Sequence, residues 1–260
     1  MDNIEHIKEL ARSAGAIALG HFRNVTPTWK EDRSYITQAD LDVQAYLREA
    51  LDAAYPDDGI VAEENGLRKL PRRGDRTWVI DPIDGTASFS AGLPIWGISI
   101  ALVESGQPTG GVFYIPTVGD LFHTGNDGRV YRNDRPAQLR SPGPFHGETS
   151  LLIASRLHRH YTLSRDYPGK LRNLGSTVAH LAYVATGSAE AALVEPVYVW
   201  DIAAGMAMLE ANDGTLVYID GTPVDLAPLL DGTRMPQPML GGSREAVAAF
   251  MNVITYLPGY

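Results

Sequence analysis

The run T-W-V-I-D-P-I-D-G-T-A-S-F, residues Thr77 to Phe89, constrains this chain more than any other stretch. Trp78, Val79 and Ile80 form a short apolar run that predicts a buried strand. The strand delivers two carboxylates, Asp81 and Asp84, into a Gly85-Thr86 pair that can turn the backbone. Carboxylate oxygens are hard ligands suited to Mg²⁺, and N–H groups just after Gly85 can point at an anion. A metal and phosphate site is the chemistry this stretch predicts.

The chain before it supplies helices. Ile4, Ile7, Ala11, Ala14, Ala18 and Phe22 recur at helical spacing, so residues 2–23 predict an amphipathic helix. The segment V-T-P-T-W-K-E-D-R-S-Y-I has no period and predicts an exposed, mobile loop. Thr37 with Asp40 three residues later is a capping-box start, and Val43, Leu47, Ala50 and Ala54 carry a second helix to Tyr55-Pro56. A turn at Pro56–Gly59 precedes Ile60-Val61-Ala62 and the pair Glu63-Glu64, which on its own reads as a solvated strand edge. Leu67 to Arg76 is basic and predicts a surface loop.

Beyond the central run the pattern becomes β. Trp96 to Thr124 divides into three runs with short connections, which imply antiparallel neighbours, and Asn126-Asp127-Gly128 and Asn133-Asp134 add turns around Arg129 to Arg132. Residues 1–138 therefore predict two helices on a mostly antiparallel sheet. Ser141-Pro142-Gly143-Pro144 is the candidate boundary, and residues 139–260 form a second unit. In it, strands are expected at Leu151–Ala154, Ala189–Val194 and Thr215–Ile219. Helices are expected at Thr177–Thr186, from Trp200-Asp201 to Asn212, and at Arg244–Ile254. That alternation is α/β, so the whole chain reads as α+β followed by α/β.

Among its 260 residues the chain has no cysteine, which excludes disulfides, thiolate zinc sites and cysteine nucleophiles. No apolar run approaches the roughly 20 residues of a membrane span, and the acidic start is unlike a leader; a cytoplasmic protein is expected. A formal charge of −9 disfavours a nucleic-acid duplex and leaves small ligands, including anionic ones where bound cations reverse the local sign.

Asp81, Asp84, Asp201 and Glu63 together suit two or more Mg²⁺ ions. Taken singly, Asp201 could be a helix N-cap and Asp84-Gly85 an ordinary turn. The acids are separated by Pro82 and Ile83, unlike the D-x-D-G-T of aspartyl-nucleophile phosphatases, so water rather than Asp81 is expected to attack phosphorus. Neither G-x-x-x-x-G-K-[ST] nor G-x-G-x-x-G is present. His158-Arg159-His160 could bind metal or phosphate but reads as solvent-facing.

Glu63-Glu64, D-P-I-D-G-T at Asp81–Thr86 and W-D-I-A-A-G at Trp200–Gly205 resemble the three signature motifs of the inositol monophosphatase family of Mg²⁺-dependent, lithium-sensitive phosphatases. The resemblance implies an alternating α-β-α-β-α layered sandwich. It also implies Glu63, Asp81, Asp84, Asp201 and the Ile83 carbonyl as ligands of about two or three Mg²⁺ ions. Gly85 and Thr86 would offer N–H groups to phosphate, and Thr86, supported by Asp40, would with Glu63 orient and deprotonate the attacking water. Lys30 matches the lysine of the family's mobile catalytic loop. Glu195, Gly175, Ser176 and Thr177 match the substrate pocket, with Arg172 where relatives brace the acid, and a homodimer is the family's habit.

Two departures bear on substrate. Ser88 stands where the family often has Asn after G-T-x, and Glu195 precedes Asp201 by one residue fewer than in many relatives. An inositol-phosphatase-like monoester hydrolase leads the expectations, with histidinol phosphate next, then sugar bisphosphates and 3′-phosphonucleotides. A non-catalytic metal-dependent binding or scaffold protein on the same fold is the reading from another class.

Overall fold

The computed structural model of the protein describes residues 4–31, 33–156 and 160–257. Residues 2 and 3 of the first expected helix, and His158 and Arg159 of the H-R-H run, lie outside them.

Helix α1 (Ile4–His21) and helix α2 (Gln38–Ala54) form where the apolar spacing places them. The capping box is present: Thr37 accepts from the start of α2, and Asp40 Oδ2 accepts from the Thr37 backbone N–H at 2.8 Å. Between the helices the expected mobile loop is instead a small antiparallel hairpin, β1 (Thr28–Trp29) with β2 (Tyr35–Ile36). Four β-forming residues pair there without needing a period, and the Trp29 and Tyr35 rings lie 4.3 Å apart.

The first large sheet is assembled from β3 (Gly59–Ala62), β4 (Arg68–Lys69), β5 (Thr77–Asp84), then, after the short helix α3 (Thr86–Ser90), β6 (Gly97–Glu104), β7 (Gln107–Ile115), β8 (Asp120–Thr124), β9 (Val130–Arg132) and β10 (Arg135–Ala137). Its order is β10-β9-β8-β7-β6-β5-β3-β4, antiparallel except for β3 beside β5. The basic segment after Leu67 is thus partly a strand, because Arg68 and Lys69 pair with Val61 and Ile60.

The second sheet draws on β11 (Ser150–Ile153), β13 (Lys170–Arg172), β14 (Ala191–Val194), β15 (Gly214–Tyr218) and β16 (Met239–Ser243), with β12 (Tyr161–Leu163) paired outside it to the terminal β17 (Ile254–Tyr256). Helices α4 (Thr177–Ala185), α5 (Ala203–Glu210) and α6 (Arg244–Met251) complete the chain. The last helix is shorter than the expected Arg244–Ile254, since Ile254 turns into β17. Strand β16 has no counterpart in the sequence expectations. Its Gly241-Gly242 pair resembles a turn, yet a Cβ on Gly242 would meet the Glu190 carbonyl oxygen at 2.7 Å, so glycine is required by close strand packing.

The layers follow from period-2 burial. Trp78 and Ile80 of β5, with Ile100 and Leu102 of β6, face one core with Ile7, Ala11, Val43 and Leu47 of the first two helices. Val79, Ala101 and Val103 face the opposite core, shared with α4, α5 and the second sheet. Leu151, Leu193 and Leu240 face a third core under α6. The result is the expected α-β-α-β-α sandwich. Strand β5 is buried on both sides and is therefore a rigid base for whatever its end carries.

Candidate active site

An unbroken strand puts residues three apart on opposite faces. In β5, Asp81 pairs with Ser99 and Asp84 with Gly97, so one extra residue is accommodated between the two aspartates. Pro82, which has no N–H to give the ladder, sits in that bulge. The bulge re-aims Asp84, and carboxylate oxygens of Asp81, Asp84 and Asp201 then lie within 4.8 Å of one another. Gly85 adopts φ 96°, a backbone state that glycine enters without steric cost, and starts α3.

Each acid is positioned by a different element. Asp81 Oδ1 accepts from the Ile83 N–H at 3.0 Å, while Ile83 O accepts from Thr86 Oγ1 at 3.1 Å. Asp84 is held from the second half of the chain: Ser176 Oγ donates to it, as do the N–H groups of Thr177 at 3.2 Å and Val178 at 2.9 Å. Asp201 lies in a single helical turn, Val199–Asp201, and accepts from the Tyr198 N–H at 2.8 Å. Helix α5 begins two residues later at Ala203, so Asp201 is not its N-cap. Asp40, fully buried, accepts from Thr37 and at 3.2 Å from Thr86 Oγ1.

Glu63 lines the same cavity, outside the 4.8 Å cluster. Lys30 Nζ donates at 2.6 Å to both Glu63 and Glu64. Glu64 is buried, and the Gln44 side chain clamps its backbone, accepting from the N–H at 2.8 Å and donating to the carbonyl at 3.0 Å. The Glu63-Glu64 pair is therefore an interior anchor for the hairpin lysine, correcting the solvated-edge expectation.

Burial dominates the electrostatics. It lifts Asp81 and Asp201 well above the ordinary carboxylate range, and the charge of Glu63 adds to the effect. Asp84 is pushed up to about 6 by burial despite its three donors. Glu64 rises to about 7 through burial and the nearby Glu63. Burial works against the Lys30 ammonium, but Glu63 and Glu64 outweigh it and hold the lysine above its usual value. Four carboxylates crowd one end of the cavity against one ammonium. The donor set is all oxygen and short of positive charge, which fits a hard divalent cation.

The expected substrate contacts fare differently. Gly175, Ser176 and Thr177 line the cavity, but Ser176 and the Thr177 N–H are engaged with Asp84, and the Gly175 carbonyl accepts from Ser88 Oγ at 3.1 Å. Ser88 thus ties the turn after Gly85 to the loop before α4. Glu195 is absent from the cavity lining, with Oε1 buried and lacking a hydrogen-bond partner, and Arg172 stands exposed on the edge strand β13. The missing residue before Asp201 had signalled that shift of Glu195. Sequence reasoning did not find Arg33, Arg156, Arg234 or His180 in the lining. Isolated arginines carry no spacing signal, and His180 reads as one more residue of an apolar helix.

The sequence model of the inositol monophosphatase family matches residues 2–238. Among curated relatives, a Nus factor SuhB of Xylella fastidiosa is 32% identical over 85% of this chain and 82% of its own. A histidinol-phosphatase of Chlorobaculum parvum is 32% identical over 79% and 82% respectively. An inositol-1-monophosphatase of Mesorhizobium japonicum is 31% identical over 78% and 79%. The crystal structure of the extragenic suppressor protein suhB from Bartonella henselae superposes with a TM-score of 0.81, covering 97% of this chain and 98% of its own at 21% identity, which shows the shared fold.

Proposed function

Since the chain belongs to the inositol monophosphatase family, a family of metal-dependent phosphatases, we propose that it hydrolyses a small phosphate monoester with Mg²⁺, inositol phosphates first among them. The observation that carries this is the convergence within 4.8 Å of Asp81 and Asp84, buried at β5, with the half-buried Asp201 of a distant turn, none of them ion-paired among the described residues. Bound Mg²⁺, about two or three ions held by Glu63, Asp81, Asp84, Asp201 and the Ile83 carbonyl, would supply Lewis acidity toward the phosphate and a more acidic attacking water.

The residues of the chain do the rest. The N–H groups of Gly85 and Thr86 hold the phosphate against the end of β5. Thr86 directs its own proton at Asp40 or at the Ile83 carbonyl, which leaves an oxygen lone pair to accept from the attacking water. Glu63 takes that water's proton. Oxygen bonds to phosphorus as the ester P–O bond breaks, the leaving alkoxide takes a proton from a solvent water whose hydroxide is neutralised by the proton held on Glu63, and an alcohol and inorganic phosphate result. Lys30, tethered to Glu63, lets the β1–β2 hairpin respond to what occupies the acids.

Phosphate release from inositol 1-phosphate, histidinol phosphate, a sugar bisphosphate and a 3′-phosphonucleotide with Mg²⁺ tests the substrate. Turnover of inositol 1-phosphate is expected, and its absence overturns that choice. Histidinol phosphate is the second reading, favoured by the 32% identity to a histidinol-phosphatase. Lithium inhibition, a homodimer and a cytoplasmic location complete the proposal. Inhibition kinetics, light scattering and cell fractionation check them.

A further inference from the structure

The acids and the cations of the cavity are segregated. The cavity encloses about 700 Å³, and among the described residues its acidic lining is confined to Glu63, Asp81, Asp84 and Asp201, which are buried or half-buried and make its floor. The remaining lining includes Arg33, Arg156 and Arg234, each exposed, from the β1–β2 turn, the loop after β11 and the segment before β16. Among the described residues none of the three is paired with a carboxylate. Arg234 is aimed by its backbone contact, Nε donating to the Pro196 carbonyl at 2.9 Å.

Three guanidiniums in one cavity without a carboxylate partner among the described residues are unexpected for a chain of formal charge −9, in which acidic side chains are in excess. They are also too exposed to serve the core. Guanidinium forks match the geometry of carboxylate and phosphate oxygens. The carboxylate expected to receive substrate hydroxyls, Glu195, does not line the cavity.

On the phosphatase reading of this site, we infer that, among the monoesters it turns over, those carrying a second anionic group, a carboxylate or a phosphate, are preferred, that group being received at the mouth by Arg33, Arg156 and Arg234. The scissile phosphate lies at the acidic floor, and the rest of the molecule spans between. The oxyanion at the mouth is bound and not transferred, so it leaves with the alcohol product.

A matched series of acyclic polyols isolates the effect: glucitol 6-phosphate, 6-phosphogluconate and glucitol 1,6-bisphosphate differ only at the far end. With Mg²⁺, kcat/KM is expected to be about tenfold or more higher for the two doubly anionic compounds, falling with added salt. The carboxylate and bisphosphate arms distinguish which oxyanion the mouth prefers. Arg156→Gln and Arg234→Gln are expected to lower kcat/KM by about tenfold on the doubly anionic compounds and by clearly less on glucitol 6-phosphate, with Tm unchanged. Calorimetric binding of the same three compounds with Ca²⁺ in place of Mg²⁺ reads the mouth without turnover. Should no compound release phosphate, the phosphatase reading fails while the binding order still decides the mouth. Equal binding of all three, or arginine variants that weaken all three alike, overturns the inference.

Discussion

Asp81 and Asp120 are both buried in strands of the same sheet, yet their charges meet opposite surroundings. Asp120 is surrounded by donors: Arg132 Nη2 at 2.7 Å, Asn133 Nδ2 at 2.8 Å and the Tyr183 hydroxyl at 2.9 Å. Burial pushes its carboxyl up, but these donors outweigh burial and hold it below the ordinary carboxylate range. Asp81 has one N–H donor, and around it stand Glu63, Asp84 and Asp201. A charge that serves packing is neutralised within the chain; a charge left without compensation at a cavity is reserved for something the chain does not contain.

The largest effect is expected from Asp84→Asn, which should cut Mg²⁺-dependent phosphate release by about a thousandfold or more while leaving the protein folded. Phosphate release alongside circular dichroism checks both halves, and undiminished turnover would remove Asp84 from the metal site.

His180 is another buried titratable group, and its Nε2 accepts from the Leu174 N–H at 2.9 Å. Burial pushes it from 6.5 down to about 4, so the unfolded chain takes up a proton that the fold refuses between those values. The contribution of His180 to stability should therefore fall as pH drops from 6.5 towards 4, by as much as about 3 kcal/mol, while the raised carboxyls of Asp84 and Glu64 act in the opposite sense over the same window. Urea unfolding of wild type and of His180→Asn, which keeps an acceptor for Leu174, isolates it: the stability of wild type relative to the variant should fall as pH drops across that window.

Mg²⁺ itself should stabilise the fold by binding the uncompensated acids, by about 2.7 kcal/mol at a hundred times its Kd. Thermal melts with and without chelator test this, and Asp81→Asn should lose most of the response. The smallest effect is expected at the compensated site. Asp120→Asn should cost about 1.5 kcal/mol in urea unfolding, through the lost charge-assisted bonds to Arg132, and leave kcat near wild type.

Much of this was legible because it is local. Apolar spacing in α1 and α2, the Thr37–Asp40 cap and the apolar run Trp78-Val79-Ile80 that makes a buried strand are properties of short windows, and they hold. The acids of the floor were legible because carboxylates at strand and turn ends carry chemistry in their residue type. Strand β16 was not, since Gly241 and Gly242 are explained by Glu190 and Leu209, which lie far away in sequence. The hairpin at Thr28–Ile36 has too few residues for a period. Glu64 could not be separated from a solvated edge until Gln44, 20 residues earlier, was seen to hold it.

By itself the sequence determined the layered fold, the family and the kind of chemistry, because these rest on periodicity and on motifs read within single segments. Only the tertiary structure decided which charges meet. The bulge after Asp81, the grip of Ser176 and Val178 on Asp84, the removal of Glu195 from the cavity and the gathering of three arginines at its mouth are all contacts between distant segments. Electrostatic energy depends on separation in space and on exclusion of water, and neither is written in the order of residues along the chain.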